Sequence, residues 1–458
     1  MISSISDFNQ PFFIGIAGSG MSALAQYLQE AGKTVSGSDR LFHPGEDNET
    51  REKLEAEGIL CYEQGGDGIR PGTDLVVAST AIEDSVPEIK KAKELGIPIL
   101  RRSELLALIA ASKKTIAVGG TSGKSTTSAM LFQILEKAGL EPGIISGAGL
   151  VELIQQGKIG NAQLGHGEWL VIEADESDGS IVQYKPETGL LLNIDMDHQE
   201  IGELMRIFGI FRQNSKHFVV NRSHPLAAGL SVDASKDFSL DSTTGAGYIA
   251  TEYEQQGMHI RFEINGVPFE LKMPGKHNME NALAASAVAA SMGVPLETCA
   301  LALLSYQGIY RRHQVLGEKN GVWLVDDYAH NPVKCAAAIQ ACQPVASKVI
   351  AWFQPHGYKP TRFLRQEFVK EFARVLRPED EVWMSEIYYA GGTAVKDISA
   401  EDLINDLKAL GKNAFFVEDR NQFLETVRPH FTNDTVLLLM AARDPGLEEF
   451  ARKTWKQL

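Results

Sequence analysis

Short apolar runs, each followed by a glycine turn or an acidic cluster and then by apolar residues three and four apart, recur along most of the chain. Each run predicts a buried strand, and the spacing after it predicts a helix packed on that strand. Phe12 to Ile16 is the first strand. A turn from Gly15 to Gly20 opens a helix from about Met21 to Ala31, and a second strand spans Thr34 to Gly37 and ends at Ser38-Asp39. Strands Leu75–Ser79 and Ile97–Leu100 continue the alternation. After the polar stretch Ala111-Ser112-Lys113-Lys114 the pattern restarts with Ile116 to Val118, then a helix carrying Met130, Leu131, Ile134, Leu135 and Ala138 that stops at Gly139. A third restart near Val322 gives strands Val322–Val325, Val349–Phe353, Glu381–Met384, Ala414–Val417 and Val436–Met440. Strand–helix alternation of this kind predicts α/β architecture with doubly wound parallel sheets. The restarts predict three domains, 1–112, 113–315 and 316–458. One stretch breaks the pattern: Met258–Ile264 and Val267–Leu271 flank Asn265-Gly266, the signature of an antiparallel hairpin, before an alanine-rich helix from Asn281 to Met292.

The second restart carries the strongest chemistry. Its strand runs into Gly119-Gly120-Thr121-Ser122-Gly123-Lys124-Ser125-Thr126, and a helix follows. A glycine turn between strand and helix lets backbone N–H groups approach phosphate oxygens at a helix N-terminus. Lys124 would reach the β/γ-phosphates, and a Ser125 or Thr126 hydroxyl would hold magnesium. The spacing is shorter than the common G-x-x-x-x-G-K-[ST] loop. Two further buried runs end in acids: Trp169 to Glu173 leads to Asp175-Glu176-Ser177-Asp178, and Gly189 to Asn193 leads to Asp195-Met196-Asp197-His198. In open α/β sheets ligands sit at the carboxyl ends of strands, so both clusters are expected beside the phosphate loop, where carboxylates suit Mg²⁺. The first glycine turn is ordered G-x-x-G-x-G rather than G-x-G-x-x-G. With Asp39 at the tip of the second strand it reads as a nucleotide-binding βαβ unit. An NAD-dependent oxidoreductase could be argued from that unit alone, but it leaves the phosphate loop unexplained.

Composition narrows the partners. Of 458 residues 59 are acidic and 44 basic, a net charge of −15, which argues against nucleic acid or an anionic membrane surface. Locally convergent cations at Arg101-Arg102, Lys276-His277 and Arg311-Arg312-His313 still allow anionic small molecules. The four cysteines, Cys61, Cys299, Cys335 and Cys342, form no C-x-x-C, so neither a disulfide framework nor a zinc site is expected. The first residues show no basic, apolar leader and no apolar run is long enough to span a bilayer, so a cytoplasmic protein, monomer or homodimer, is expected.

Taken in order, Gly15-Ile-Ala-Gly-Ser-Gly-Met-Ser22, Ser36-Gly-Ser-Asp39, Arg101-Arg102-Ser-Glu104, Gly120 to Thr127, Glu173-Ala-Asp-Glu-Ser-Asp178, Asn193-Ile-Asp-Met-Asp-His198, Pro274-Gly-Lys-His-Asn278, Arg311-Arg312, Asp326-Asp-Tyr-Ala-His330-Asn-Pro and Phe353-Gln-Pro-His356 resemble the Mur ligase family over the whole chain. The resemblance implies a Rossmann-like domain for a UDP-sugar, a P-loop ATPase-like central domain, and a Rossmann-like C-terminal domain for the amine substrate. It implies ATP-dependent amide formation through an acyl phosphate on the lactyl carboxylate of UDP-N-acetylmuramate. L-alanine is the expected amine, a murein peptide the alternative, and a non-catalytic nucleotide-binding regulator the reading from another class. Residue by residue, Gly15, Gly18, Ser19 and Gly20 would hold the uridine diphosphate, with Ser38 and Asp39 near the uridine. Gly120, Thr121, Ser122, Gly123, Lys124, Ser125 and Thr126 would cradle ATP, and Ser125, Glu173 and His198 would carry magnesium. Asn278 and Asp327 would meet adenine and ribose, and Arg312 the phosphates. Lys124, Glu173, His198 and His330 would be catalytic; His356, Lys359 and Arg362 would meet the amine substrate. Five positions depart from the family pattern: Ser122 stands where the family often has His or Asn, Ser125 where it usually has Thr, Met205 where many relatives place a metal-supporting lysine, and Gly357 and Pro360 replace two arginines after His356.

Overall fold

Five short parallel strands form the first sheet: β1 (Pro11–Ile14), β2 (Ser36–Asp39), β3 (Leu60–Glu63), β4 (Leu75–Ala78) and β5 (Ile99–Arg101), in the order β3-β2-β1-β4-β5. Reversal of direction at β1 opens a crevice at the carboxyl ends of β1 and β4, beside the glycine turn. The computed structural model describes residues 2–43, 45–79, 82, 85–195, 200–389 and 395–458. Phe13 and Val77 on one face and Phe12, Ile14, Val76 and Ala78 on the other are fully buried, as expected of strands covered on both faces.

The second sheet comprises β6 (Lys114–Gly119), β7 (Gly143–Ile145), β8 (Ala162–Gln163), β9 (Trp169–Glu173), β10 (Thr188–Leu191) and β11 (His217–Val220), ordered β11-β10-β6-β9-β7-β8. The phosphate-loop strand β6 is central, with β9 and β10 parallel on its two sides; Val118 pairs with Glu173 and Gly119 with Leu191. That register places the loop beside the carboxyl ends of β9 and β10, where Glu173 and Asn193 sit; residues 196–199 of the second acidic cluster lie outside the described residues. The hairpin appears as β14 (His259–Ile264) and β15 (Val267–Leu271), in a sheet with β12 (Phe238–Ser239) and β13 (Tyr248–Gln256). Asn265 turns the chain at φ 48°, a conformation that asparagine tolerates.

The last sheet is β16 (Gln314–Lys319), β17 (Val322–Asp327), β18 (Lys348–Gln354), β19 (Glu381–Met384), β20 (Ala414–Phe416) and β21 (Thr435–Ala441), ordered β16-β17-β21-β18-β19-β20. All neighbours run parallel except the edge strand β16, which pairs antiparallel with β17. Its polar sequence, with a bulge at Val315/Gly317, hides it from a hydrophobic pattern. Cys335 and Cys342 are fully buried in the core under this sheet.

The chain divides into two compact units: residues 1–252, 262–269 and 279–309 form one, and residues 253–261, 270–278 and 310–458 the other. Among the described residues no helix is long and apolar enough to cross a membrane. Several element ends differ from the expected ones, and three of them bear on the sites. The helix expected from Met21 starts at Ser19, because Gly18 serves as its N-cap. The second strand begins at Ser36 rather than Thr34 and runs through Ser38 to Asp39. The alanine-rich helix starts at Lys276, putting Lys276, His277 and Asn278 in its first turn.

Candidate active site

Lys124 opens the helix Lys124–Lys137, whose N-cap is Gly123 at φ 84°. A Cβ at Gly123 would lie 2.5 Å from Asn281 Oδ1, so left-handed backbone and close packing both demand glycine here. Lys124 Nζ donates to Gly120 O at 2.7 Å and to Glu176 Oε2 at 2.6 Å; Asp175 Oδ1 lies 3.8 Å away. Burial raises the Glu176 carboxyl above its ordinary range, against the pull of Lys124. Burial also acts on Asp175, but the Lys124 charge and hydrogen bonds from Ser177 hold that group below its ordinary value.

Ser125 Oγ donates to Glu173 Oε2 at 3.0 Å. The other carboxylate oxygen, Oε1, accepts from Ser146 Oγ at 2.6 Å and from Gly147 N at 2.7 Å. Asn193, at the end of β10, braces the loop from the far side. Its Oδ1 accepts from Thr121 Oγ1 and Ser122 N, both at 2.9 Å, and its Nδ2 donates to Ser122 O at 3.1 Å. Thr121 Oγ1 in turn accepts from Asp195 N. Asn281 Oδ1 accepts from Thr127 Oγ1 at 3.2 Å. The structure thus gathers Gly120, Thr121, Ser122, Gly123, Lys124, Ser125 and Glu173 at one strand edge; Thr126 follows in the first helical turn. His198 lies outside the described residues. Among the described residues no three His, Cys, Asp or Glu side chains group as a metal site. Met205, in the helix Ile201–Asn214, packs against the apolar core.

Ser146, Asn161 and Asn281 give no signal in the sequence, since isolated polar residues in ordinary loops and helices carry no pattern. Asn161 Nδ2 donates to Ser19 O at 2.7 Å and to Ser22 Oγ at 3.0 Å, while Gln26 Nε2 donates to Asn161 Oδ1. The start of the first glycine-turn helix is therefore held from the second sheet's side. Arg102 acts there too: it pairs with Asp178 at 3.0 Å, and its stem passes 3.0 Å from where a Gly20 Cβ would stand. Gly15 N and Ile16 N donate to Ser38 O, and Ala17 N donates to Asp39 Oδ2 at 2.9 Å. Ser38 Oγ donates to Glu88 Oε1 at 2.8 Å. Both Ser38 and Asp39 are buried, so in the structure they shape the Gly15–Gly20 turn from beneath.

In the second unit, Arg311 and His313 adopt left-handed backbone, φ 53° and 49°. The strain is held by Arg311 Nε donating to Asp326 Oδ2 at 2.9 Å, Arg311 Nη2 donating to Ala441 O, and His313 N donating to Asp327 Oδ2 at 2.7 Å. Burial raises Asp326 to about 6 despite Arg311, and raises Asp327 as well. Arg312 lies over the Tyr328 ring, 5.1 Å from its centroid. Asn278 is buried, and its Nδ2 donates to Pro274 O. His330 and His356, from the turns after β17 and β18, meet with ring centroids 5.5 Å apart. His330 Nδ1 lies 2.9 Å from Tyr328 O; a carbonyl only accepts, so Nδ1 carries the proton and Nε2 is left as an acceptor. Burial lowers both histidines, His356 to about 4, so both are neutral at pH 7. Lys359 and Arg362 do not join them. Both are exposed on the helix Tyr358–Val375, and Arg362 pairs with Asp397 at 2.6 Å.

Residues 12–114 match the Mur ligase family catalytic domain, residues 118–289 the Mur ligase middle domain and residues 311–443 the Mur ligase glutamate ligase domain. The UDP-N-acetylmuramate–L-alanine ligase of Carboxydothermus hydrogenoformans is 37% identical over 446 residues, covering 94% of this chain and 93% of that protein. The enzyme of the same name from Microcystis aeruginosa is 36% identical over 457 residues, 92% of each chain. Among solved structures, the UDP-N-acetylmuramate–alanine ligase of Thermotoga maritima superposes with a TM-score of 0.81 at 27% identity, covering 98% of both chains. A murein peptide ligase from Psychrobacter arcticus has the same fold, with a TM-score of 0.67 at 20% identity and 98% coverage of both. The phosphate loop, the carboxylate beside it and similarity along the full length agree: this chain belongs to the Mur ligase family.

Proposed function

We infer that the protein joins L-alanine to the lactyl carboxylate of UDP-N-acetylmuramate at the expense of ATP, a step of peptidoglycan precursor synthesis in the cytoplasm. The γ-phosphoryl group passes from ATP to the carboxylate, giving an acyl phosphate and ADP. The amine then attacks the acyl carbon, and phosphate leaves as the amide forms. The observation that carries this reading is the pairing of Lys124 and the Ser125–Glu173 contact on one phosphate loop. A lysine there neutralises charge on the transferring phosphoryl group.

Hydroxyl and carboxylate oxygens are the donors Mg²⁺ takes, and it characteristically completes its shell with water and phosphate rather than with a protein cage. Ser125 and Glu173 fit that chemistry, with Ser146 and Gly147 N orienting the carboxylate. Bound there, the ion would supply charge neutralisation at the phosphates. His198 is proposed as a further ligand from the resemblance alone. The same source supports Asn278, Asp327 and Arg312 as nucleotide contacts, and the Gly15–Gly20 turn as the uridine diphosphate site, with domain limits at 112 and 315. For the turn, the exposed helix start at Ser19 adds an anion-binding N-terminus. His330 Nε2, an acceptor on a neutral ring, suits removal of a proton from the attacking ammonium.

Phosphate release with ATP, Mg²⁺, UDP-N-acetylmuramate and either L-alanine, L-serine, glycine or the murein tripeptide tests the assignment. Turnover with L-alanine is the expected result. Turnover with the tripeptide alone would replace this reading by the recycling one, and silence with every amine would leave a binding protein.

A further inference from the structure

Three central strands of the last sheet end side by side. Asp327 of β17 pairs with Met440 of β21, and Gln354 of β18 pairs with Ala441. Three residues past β17 stands His330, two past β18 His356, and two past β21 Arg443. The two imidazoles are in contact, and the Arg443 charge acts on both, helping to keep them neutral. These three side chains therefore share the crevice at the carboxyl edge, where open α/β sheets take their ligands.

Four other arginines of this unit are engaged elsewhere. The Arg420 guanidinium pairs with Asp444, and its Nη1 donates to Gln354 Oε1 at 3.0 Å. Arg311 is locked to Asp326 and Ala441 O. Arg362 pairs with Asp397 on a helix surface. Arg312 lies against the Tyr328 ring. Arg443 is exposed, and among the described residues it makes no ion pair or hydrogen bond. It also holds φ 67°, a conformation a long side chain rarely adopts. The chain accepts that cost beside two neutral histidines, with a five-donor fork free to engage.

We propose that Arg443 binds the α-carboxylate of the incoming amino acid, holding its amine toward His330. The inference rests on the amino-acid ligase reading and adds the residue that selects an α-carboxylate. A guanidinium matches a carboxylate with two parallel hydrogen bonds, which fixes orientation as well as charge. With the carboxylate at Arg443, the amine is the end presented to His330 Nε2. An amine without that carboxylate gains nothing from Arg443.

Steady-state kinetics of wild type, Arg443→Gly and Arg443→Lys test this, with L-alanine and with L-alaninamide, which lacks the carboxylate. Glycine keeps the left-handed backbone, so the glycine variant loses the guanidinium without added strain. The expected result is a KM for L-alanine raised roughly 10- to 100-fold in Arg443→Gly, the size of a lost charged hydrogen bond. The KM values for ATP and the UDP-sugar stay at wild-type level, which also reports correct folding. Arg443→Lys recovers part of the loss, since it keeps charge but not the fork. L-Alaninamide should distinguish none of the three proteins. An unchanged KM for L-alanine in Arg443→Gly overturns the proposal, as does an equal loss with L-alaninamide. Absence of L-alanine turnover in the wild type refutes the ligase reading itself, and this inference with it.

Discussion

Lys124 Nζ and Glu176 Oε2 are 2.6 Å apart, with side chains only 15% and 5% exposed. Removing one member of such a pair leaves the other charge poorly solvated, which costs about 3 kcal/mol, whereas removing both costs less. Lys124→Met should abolish phosphate release, and Glu176→Gln should lower the unfolding free energy by about that amount. The double variant should be more stable than the sum of the single losses predicts. Urea denaturation of the four proteins measures the coupling directly; strict additivity would mean the pair contributes nothing. UDP-sugar affinity by calorimetry should survive Lys124→Met, because the Gly15–Gly20 turn, the proposed uridine diphosphate site, belongs to a different sheet.

Glu173 is aimed by its neighbours. Ser146 Oγ and Gly147 N occupy Oε1, which leaves Oε2 facing Ser125. Groups that orient a metal-binding carboxylate typically affect metal affinity 10- to 100-fold. Ser146→Ala should raise the Mg²⁺ concentration for half-maximal activity by roughly tenfold, while saturating Mg²⁺ restores most of kcat. Glu173→Gln should not be rescued by any Mg²⁺ concentration. A magnesium titration of both variants decides; equal behaviour would show that Ser146 only supports the fold.

Gly123→Ala should damage the loop on two counts, the left-handed φ of 84° and the 2.5 Å approach to Asn281 Oδ1. Asn281→Ala removes the second obstacle but not the first. The double variant should therefore recover part, not all, of the ATP affinity lost by Gly123→Ala. Nucleotide binding by fluorescence titration measures this. Full recovery would show that backbone strain is unimportant here.

Glu57 caps the helix Glu49–Ala56, and both its carboxylate oxygens are buried without a hydrogen-bond partner among the described residues. Burial raises it to about 7, with Lys158 opposing and Glu30 assisting. A carboxyl raised in the folded state holds its proton longer than the unfolded chain does. Its contribution to stability is thus present at low pH and is lost as pH rises from about 4.5 through 7. Glu57→Gln cannot ionise, so its melting temperature should exceed wild type at pH 8 and approach it at pH 5. Thermal melts across that range provide the check.

Strand–helix alternation and the glycine turns are legible in the sequence because burial on both faces writes long apolar runs, and because a phosphate loop constrains several adjacent residues. Lys124, Ser125 and Glu173 can be read for that reason, and the structure places them together. Asn193 belongs to a legible motif, yet its bracing of Thr121 and Ser122 depends on the sheet order that sets β10 beside β6. Asn161 and Ser146 reach their partners only through tertiary contact. Lys359 and Arg362 follow His356 closely, which is why they are expected at the substrate. The helix Tyr358–Val375 carries them to its exposed face, whereas Arg443, much later in the sequence, comes to that edge through strand order.

His313 gives the second unit a pH response of the opposite sign. The ring is buried, 6.2 Å from the His277 ring, with Asp327 Oδ2 3.7 Å from Nδ1 and Cys342 Sγ 3.6 Å from Nε2. Burial pushes it down from 6.5 to about 4. An unfolded chain takes up that proton first, so the stabilisation is complete above pH 6.5 and is lost as pH falls toward 4. The whole shift is worth on the order of 3 kcal/mol. Four of the five tryptophans, Trp323, Trp352, Trp383 and Trp455, lie in this unit, so their fluorescence during urea unfolding reports mainly on it. In His313→Gln the dependence of unfolding free energy on pH, between 6 and 5, should flatten by about one proton, roughly 1.4 kcal/mol per pH unit. His277, itself lowered to about 4, would keep the remaining slope. A slope identical to wild type would mean that His313 is already protonated in the folded protein.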